Sequence, residues 1–123
     1  MNKTQLKAFI AAPLQVLRST NTAINADYWA RAHAAVTIKE MIVWSKSPYK
    51  TFSKFIAEEL PGVSLNAVNT WMANYRRMHK WNYSLSEIQT IAAKVGYNRI
   101  TEFAMYGGMK RKISPASFIK KAL

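Results

Sequence analysis

Asn66, Asn69, Thr70, Asn74 and Arg77 recur at spacings of three and four, which places them with Ala73 along one face of a helix. Amide and guanidinium groups present paired hydrogen-bonding atoms, the geometry that reads adenine and guanine edges in a DNA major groove. An ordinary solvated helix more often carries Glu and Lys. Arg76, Lys80 and His79 extend the same segment with groups suited to phosphate oxygens. The chemistry is recognition, and little else in the chain competes with it. His33 and His79 lie in separate segments with no carboxylate at metal-binding spacing, and the acids Asp27, Glu40, Glu58, Glu59, Glu87 and Glu102 are scattered. Neither a metal centre nor an acid–base pair is expected from that pattern. Glu58 and Glu59 read as a solvated helix face, Glu87 as a helix cap, and His33 as a core or boundary histidine. Gly107-Gly108 lacks the Lys-Ser/Thr of a nucleotide loop. With no cysteine there is no thiolate, disulfide or Cys-type zinc site. The six methionines read as core filler. The expectation is a protein without catalytic residues, metal or cofactor.

The reading face needs a scaffold, and the flanking residues supply one. Thr51 or Ser53 can cap a short helix over 54–60 whose Phe55, Ile56 and Leu60 face inward. Pro61-Gly62-Val63 breaks it, Ser64 caps the next helix, and Leu65, Val68, Trp71, Met72 and Tyr75 form a buried stripe. Residues 49–80 therefore read as a helix-turn-helix-like unit. The alternative is a plain helical hairpin whose exposed face happens to be rich in Asn.

A second unit occupies 84–123. Ser84 and Glu87 form the Ser-x-x-Glu capping box. Leu85, Ile88, Ile91, Ala92 and Val95 follow as an inner face, and Gly96 ends the helix at positive φ. Asn98 caps a third segment over 99–106, with Ile100 and Phe103 inward and Arg99, Thr101, Glu102 and Met105 away from the core. Gly107-Gly108 stops it. Ser114 then caps a last helix with Pro115 in its first turn, where a missing amide hydrogen costs nothing. Residues 1–47 read as a helical pair. The first, over 4–18, has Leu6, Phe9, Ile10, Leu14 and Leu17 on one face and ends at the polar cluster Ser19 to Thr22. The second starts at Asn25 or Asp27, runs through Tyr28, Trp29, His33, Val36, Met41 and Trp44, and stops at Ser45 to Pro48. Period 3.6 recurs throughout, so the fold class is all-α, a compact single-domain bundle of about six to seven helices.

At 123 residues the chain can build one core. Eighteen basic against six acidic side chains leave +12, a field that attracts polyanions. The apolar stretch 8–17 carries Pro13 and Gln15 and has about half the twenty residues of a membrane span. Lys3, Lys7 and Ala23 make it faintly resemble a secretory signal, but a core helix fits better. Nucleic acid leads the anionic membrane as partner, and the expected location is cytoplasmic, nucleoid-associated if DNA is bound.

The second unit resembles the DNA-binding region of AraC/XylS-type transcription regulators. That region carries two helix-turn-helix units, and its second half reads approximately Ile-Ala-x-x-x-Gly-Phe, a Phe six residues on, then Ser/Thr-Pro-x-x-Phe/Tyr-Arg. Here Ile91-Ala92-Ala93-Lys94-Val95-Gly96-Tyr97, Phe103 and Ser114-Pro115-Ala116-Ser117-Phe118 keep that order and spacing over some thirty residues. Gly107, Gly108 and Lys112 depart from the pattern, and Ala57 and Ala92 stand closer than the family's long linker helix allows. The resemblance implies a recognition helix after Gly96-Tyr97 with Arg99, Thr101, Glu102 and Met105 nearest DNA, braced by the Ser-Pro helix. Within these 123 residues there is no room for the effector domain that many members carry, so small-molecule control within this chain is not expected.

The expected function is sequence-specific binding of double-stranded DNA by a small transcription regulator that reads the major groove with two helix-turn-helix units. Asn66, Asn69, Thr70, Asn74, Arg77, Arg99, Thr101, Glu102 and Met105 would meet bases. Lys54, Arg76, Lys80, Lys110, Arg111, Lys112, Lys120 and Lys121 would meet phosphates and release counterions. The first two helices offer either a homodimer seam from Phe9, Leu14, Trp29, Val36 and Trp44 or an internal core. Two alternatives stand beside this reading: a basic helical inhibitor or adaptor that binds protein, and an RNA or single-strand binder that stacks bases on Trp81, Tyr83 and Tyr97.

Overall fold

Asn2 opens the chain's first helix by a reciprocal cap. Its side chain accepts from the Gln5 amide at 2.8 Å while Gln5 accepts from the Asn2 amide at 2.8 Å. In the computed structural model, which describes residues 1–19, 24–96, 99–100, 102–103, 109 and 111–122, helix α1 (Lys3–Phe9) is followed at once by α2 (Ala11–Arg18). The expected single helix over 4–18 is thus broken at Ile10, where ψ swings to 20°. Pro13 is the cause, because it has no amide to bond the Phe9 carbonyl and its ring crowds that oxygen.

Helix α3 (Ile24–Met41) begins before Asn25 and Asp27 and ends before Trp44, so both expected ends move. Residues 20–22 of the expected polar stop lie outside the described residues. Trp44 instead starts a short 3₁₀ turn, Trp44–Lys46, and its indole Nε1 donates to the Lys39 carbonyl at 3.0 Å. The ring thereby satisfies one of the carbonyls that a helix end leaves open. From there it lies against Phe52 and Phe55 with centroids 5.3 and 5.1 Å away.

Four further helices follow: α4 (Phe52–Glu59), α5 (Leu65–Lys80), α6 (Leu85–Val95) and α7 (Pro115–Ala122). The molecule is all-α, with seven α-helices and no strand among the described residues. Helix α3 runs through the middle and packs against α2, α5 and α6, while α6 carries α7. Its buried residues Trp29, Ala32, Ala34, Ala35, Val36 and Ile38 point in several directions, as a helix enclosed on more than one side requires. The alanines let neighbouring helices approach closely. Leu6, Ile10, Leu14 and Leu17 from the N-terminal pair, and Phe55, Val68, Met72, Ile88, Ile91 and Phe118 from the other helices, join the buried residues of α3 in one core. Leu14, Trp29 and Val36 are therefore core and not a seam between two copies. Trp44 is half-buried, and of the five residues considered for a seam only Phe9 is exposed, at 55%.

Candidate nucleic-acid interface

The first unit is assembled by local rules. Thr51 caps α4 through the Lys54 amide at 3.1 Å, and Phe55, Ile56 and Leu60 are buried as expected. Gly62 takes φ +90° in the turn, a region that a side chain disfavours. Ser64 caps α5 through the Ala67 amide at 3.0 Å. Helix α5 is then closed by Asn82 at φ +62°, a stop that the sequence reading did not identify. Val68, Met72, Tyr75 and Met78 are buried on the side facing α3, and Leu65 and Trp71 are half-buried. The opposite side exposes Asn66, Asn69, Thr70, Arg76, Arg77 and Lys80, with half-buried Ala73 between them, while His79 is exposed beside Tyr75.

Within that face the side chains differ in freedom. Asn66, Asn69 and Arg77 engage no side-chain partner among the described residues. The Thr70 hydroxyl donates back to the Asn66 carbonyl at 2.9 Å, and Arg76 lies 3.9 Å from Glu40. Asn74 is turned inward: its Nδ2 donates to the Tyr28 hydroxyl at 2.8 Å, which ties α5 to α3. Its expected place among the base readers is taken by a structural bond.

The second unit keeps the expected frame. Ser84 and Glu87 cap α6 reciprocally at 2.9 and 3.1 Å, and Gly96 ends it at φ +80°. Arg99, Ile100, Glu102 and Phe103 have helical backbone. Ile100 is buried, and Phe103 meets Phe118 edge-on at 4.8 Å. Ser114 accepts from the Ser117 amide at 3.2 Å, so α7 starts at Pro115 as anticipated. Three exposed polar groups of this unit, Arg99, Glu102 and Lys112, nevertheless bond within the protein. Arg99 Nε donates to the Ala122 carbonyl at the end of α7, and its Nη1 lies 3.4 Å from Glu102. Lys112 donates to the Asn82 carbonyl at 2.9 Å, approaches Glu87 at 3.5 Å and sits 5.2 Å above the Tyr83 ring. Arg111, Lys120 and Lys121 are exposed, as is Lys54 in the first unit. Tyr97, Asn98, Thr101, Met105, Gly107, Gly108 and Lys110 lie outside the described residues.

One of the two neighbouring carboxylates departs from the expectation. Glu58 is exposed as expected and pairs with Lys3 at 2.6 Å. Glu59 is not on a solvated face: its side chain is 10% exposed, with Arg18 at 2.9 Å, Lys7 at 3.6 Å and the Tyr49 hydroxyl donating at 2.7 Å. Burial pushes this carboxyl up, but the Tyr49 hydroxyl, Lys7 and Arg18 together bring it below its ordinary value. Burial and the same contact with Glu59 raise the Tyr49 hydroxyl. A signal was present, since two acids in the last turn of α4 face the negative end of its dipole and call for nearby cations. These bonds latch α1 and α2 onto α4 and absorb the positive charge of Lys3, Lys7 and Arg18.

The two histidines are brought together, although the sequence keeps them apart. His33 and His79 both lie on Tyr75, with centroids at 5.2 and 5.8 Å. Burial, and secondarily His79, lowers the His33 pKa. No group of three His or acidic side chains able to hold a metal occurs among the described residues. A cleft of about 450 Å³ opens beside the first unit's turn between Arg18, Arg31, Glu59 and Trp71. Its guanidinium groups are engaged by Glu59 and by the Ser19 carbonyl. Among the described residues, no helix is long and apolar enough to cross a membrane. Comparison with family models, curated proteins and solved structures returns no match for this chain.

Proposed function

We propose that this chain is a non-catalytic, sequence-specific duplex-DNA-binding protein and a small regulator of transcription, acting in the cytoplasm on the nucleoid. The observation that carries the reading is the outer face of α5. Amide, hydroxyl and guanidinium groups stand exposed along the second helix of a capped helix-turn-helix, with Arg76 and Lys80 beside them. Such a helix fits a major groove, and the flanking cations suit the phosphates on either side. The chain's +12 supplies attraction for any duplex, and the polar face supplies choice. The AraC-like register of the second unit supports the same class.

Single-strand binding by stacking has less behind it, because Tyr83 is buried with its hydroxyl donating to Ile113 at 2.6 Å and Trp81 is half-buried. The test is affinity for a selected duplex, random duplexes and a single strand across a salt series. The selected duplex should bind most tightly, and each of Lys120→Ala and Lys121→Ala should flatten the salt slope by about 1 without changing preference. Equal affinity for selected and random duplexes at physiological salt overturns the regulator reading. No nucleic-acid binding at all moves the chain to the protein-interaction class.

A further inference from the structure

We infer that base reading falls to α5 alone and that its target is a single major-groove element of about five base pairs, with adenine met by Asn66 and Asn69 and guanine by Arg77. The inference rests on the DNA-binding reading above and narrows it. The free stripe begins at Asn66 and ends at Arg77, and at 1.5 Å per residue this is about 16 Å of helix, close to five steps of 3.4 Å. Asn offers one donor and one acceptor in a plane, matching adenine N6 and N7, whereas a guanidinium edge offers two donors, matching guanine O6 and N7. Both kinds of group on α5 are uncommitted. Ala73 between them is small enough to let the helix settle into the groove, and the Thr70 methyl can lie against a thymine methyl.

Among the described residues, the expected readers of the second unit lack this freedom. A guanidinium has two forked edges, one formed by Nε with a terminal nitrogen and the other by its two terminal nitrogens. Arg99 uses Nε on the Ala122 carbonyl and Nη1 on Glu102, so each fork has lost a donor. Glu102, the other described residue expected to read bases there, is the partner in that pair. The bond to Ala122 instead places a cation on the carbonyl end of α7, where the helix dipole favours it. This unit braces the bundle and presents Arg111, Lys120 and Lys121 to phosphates.

The experiment is selection from a random duplex pool with the full chain, repeated with Asn69→Ala, Arg77→Lys and Glu102→Ala. The parent should enrich one uninterrupted block of about five base pairs. Asn69→Ala should reduce the adenine preference about tenfold, and Arg77→Lys, which keeps the charge but loses the fork, should reduce the guanine preference similarly. Glu102→Ala should leave the block unchanged. Two blocks one helical turn apart, or a block altered by Glu102→Ala, overturn single-helix reading while leaving DNA binding intact. No enrichment by the parent overturns the sequence-specific reading itself, and this inference falls with it.

Discussion

The two helix-turn-helix-like units are built by similar local devices and use their polar side chains in opposite ways. Among the described residues, Thr51 and Ser64 cap helices of the first and Ser84 and Ser114 of the second, and each unit turns at a positive-φ glycine and buries an apolar stripe. In the first unit, the polar bonds that fix it in place lie away from the outer face of α5: Glu58 and Glu59 hold α1 and α2, and Asn74 holds α3. Outward Asn66, Asn69 and Arg77 on α5 are left without a side-chain partner among the described residues. In the second unit, Arg99 and Lys112 bond the protein's own carbonyls. One reason is length. Helix α5 has sixteen residues and can dedicate one side to packing and another to solvent. Among the described residues after Gly96, Arg99 sits beside the open end of α7 and bonds to it. A similar motif therefore does not guarantee a similar use.

The strongest way to break this contrast is to remove its shared support. Phe55 under the first unit and Phe118 under the second are both fully buried. Either residue changed to Ala should cost about 3–5 kcal/mol. Because α3 packs against both α5 and α6, denaturant unfolding should remain one transition in each variant. Two separated transitions would show that the units fold independently.

Arg99→Ala discriminates more finely. Loss of its partly buried charged bond should lower stability by about 1–2 kcal/mol, while the sequence preferred in DNA selection stays the same. An unchanged melting curve together with an altered preference would reverse the roles assigned to the two units. Ser64→Ala should cost about 1 kcal/mol through the lost cap of α5. Hydrogen exchange should speed up first at the start of that helix.

The smallest expected effect is a pH dependence confined to the α3–α5 contact. His33 has a folded pKa below its ordinary 6.5, so on acidification the unfolded chain takes up the proton first. Stability should fall as pH drops from about 6.5 toward the lowered folded value and then level off, and His33→Gln should flatten that interval. A further loss should follow at lower pH. Glu59 is held below its ordinary 4.5, so its contribution is present above that value and disappears as pH falls through the folded pKa. A titration of melting temperature from pH 7 to pH 3 separates the two windows.

Caps and stripes were legible before any fold was known. Thr51, Ser64, Ser84 with Glu87, Gly96 and Ser114 with Pro115 are local signals, because each is satisfied within about one turn of chain. Buried residues at helical spacing were equally readable, as Phe55, Ile56, Val68, Ile88 and Phe118 illustrate. Failures arose where local signals conflicted or distant partners intervened. Pro13 outweighed a continuous apolar face and split the first helix. Trp44 left α3 to cover its carbonyl end. Glu59 reads as surface until Tyr49, Lys7 and Arg18 are folded around it.

The candidate site divides along the same line. Residue types and spacing alone determine that the chain is helical and strongly basic, and that α5 carries amides and guanidinium groups on one side. Which of those groups remain open to a partner was a tertiary decision. Asn74 is closed by Tyr28, forty-six residues away in the chain, and Arg99 by Ala122, twenty-three residues away. Periodicity reports which side of a helix faces outward. A hydrogen bond is directional and spans only about 3 Å, so whether a polar group is already satisfied depends on which distant segment the fold brings beside it.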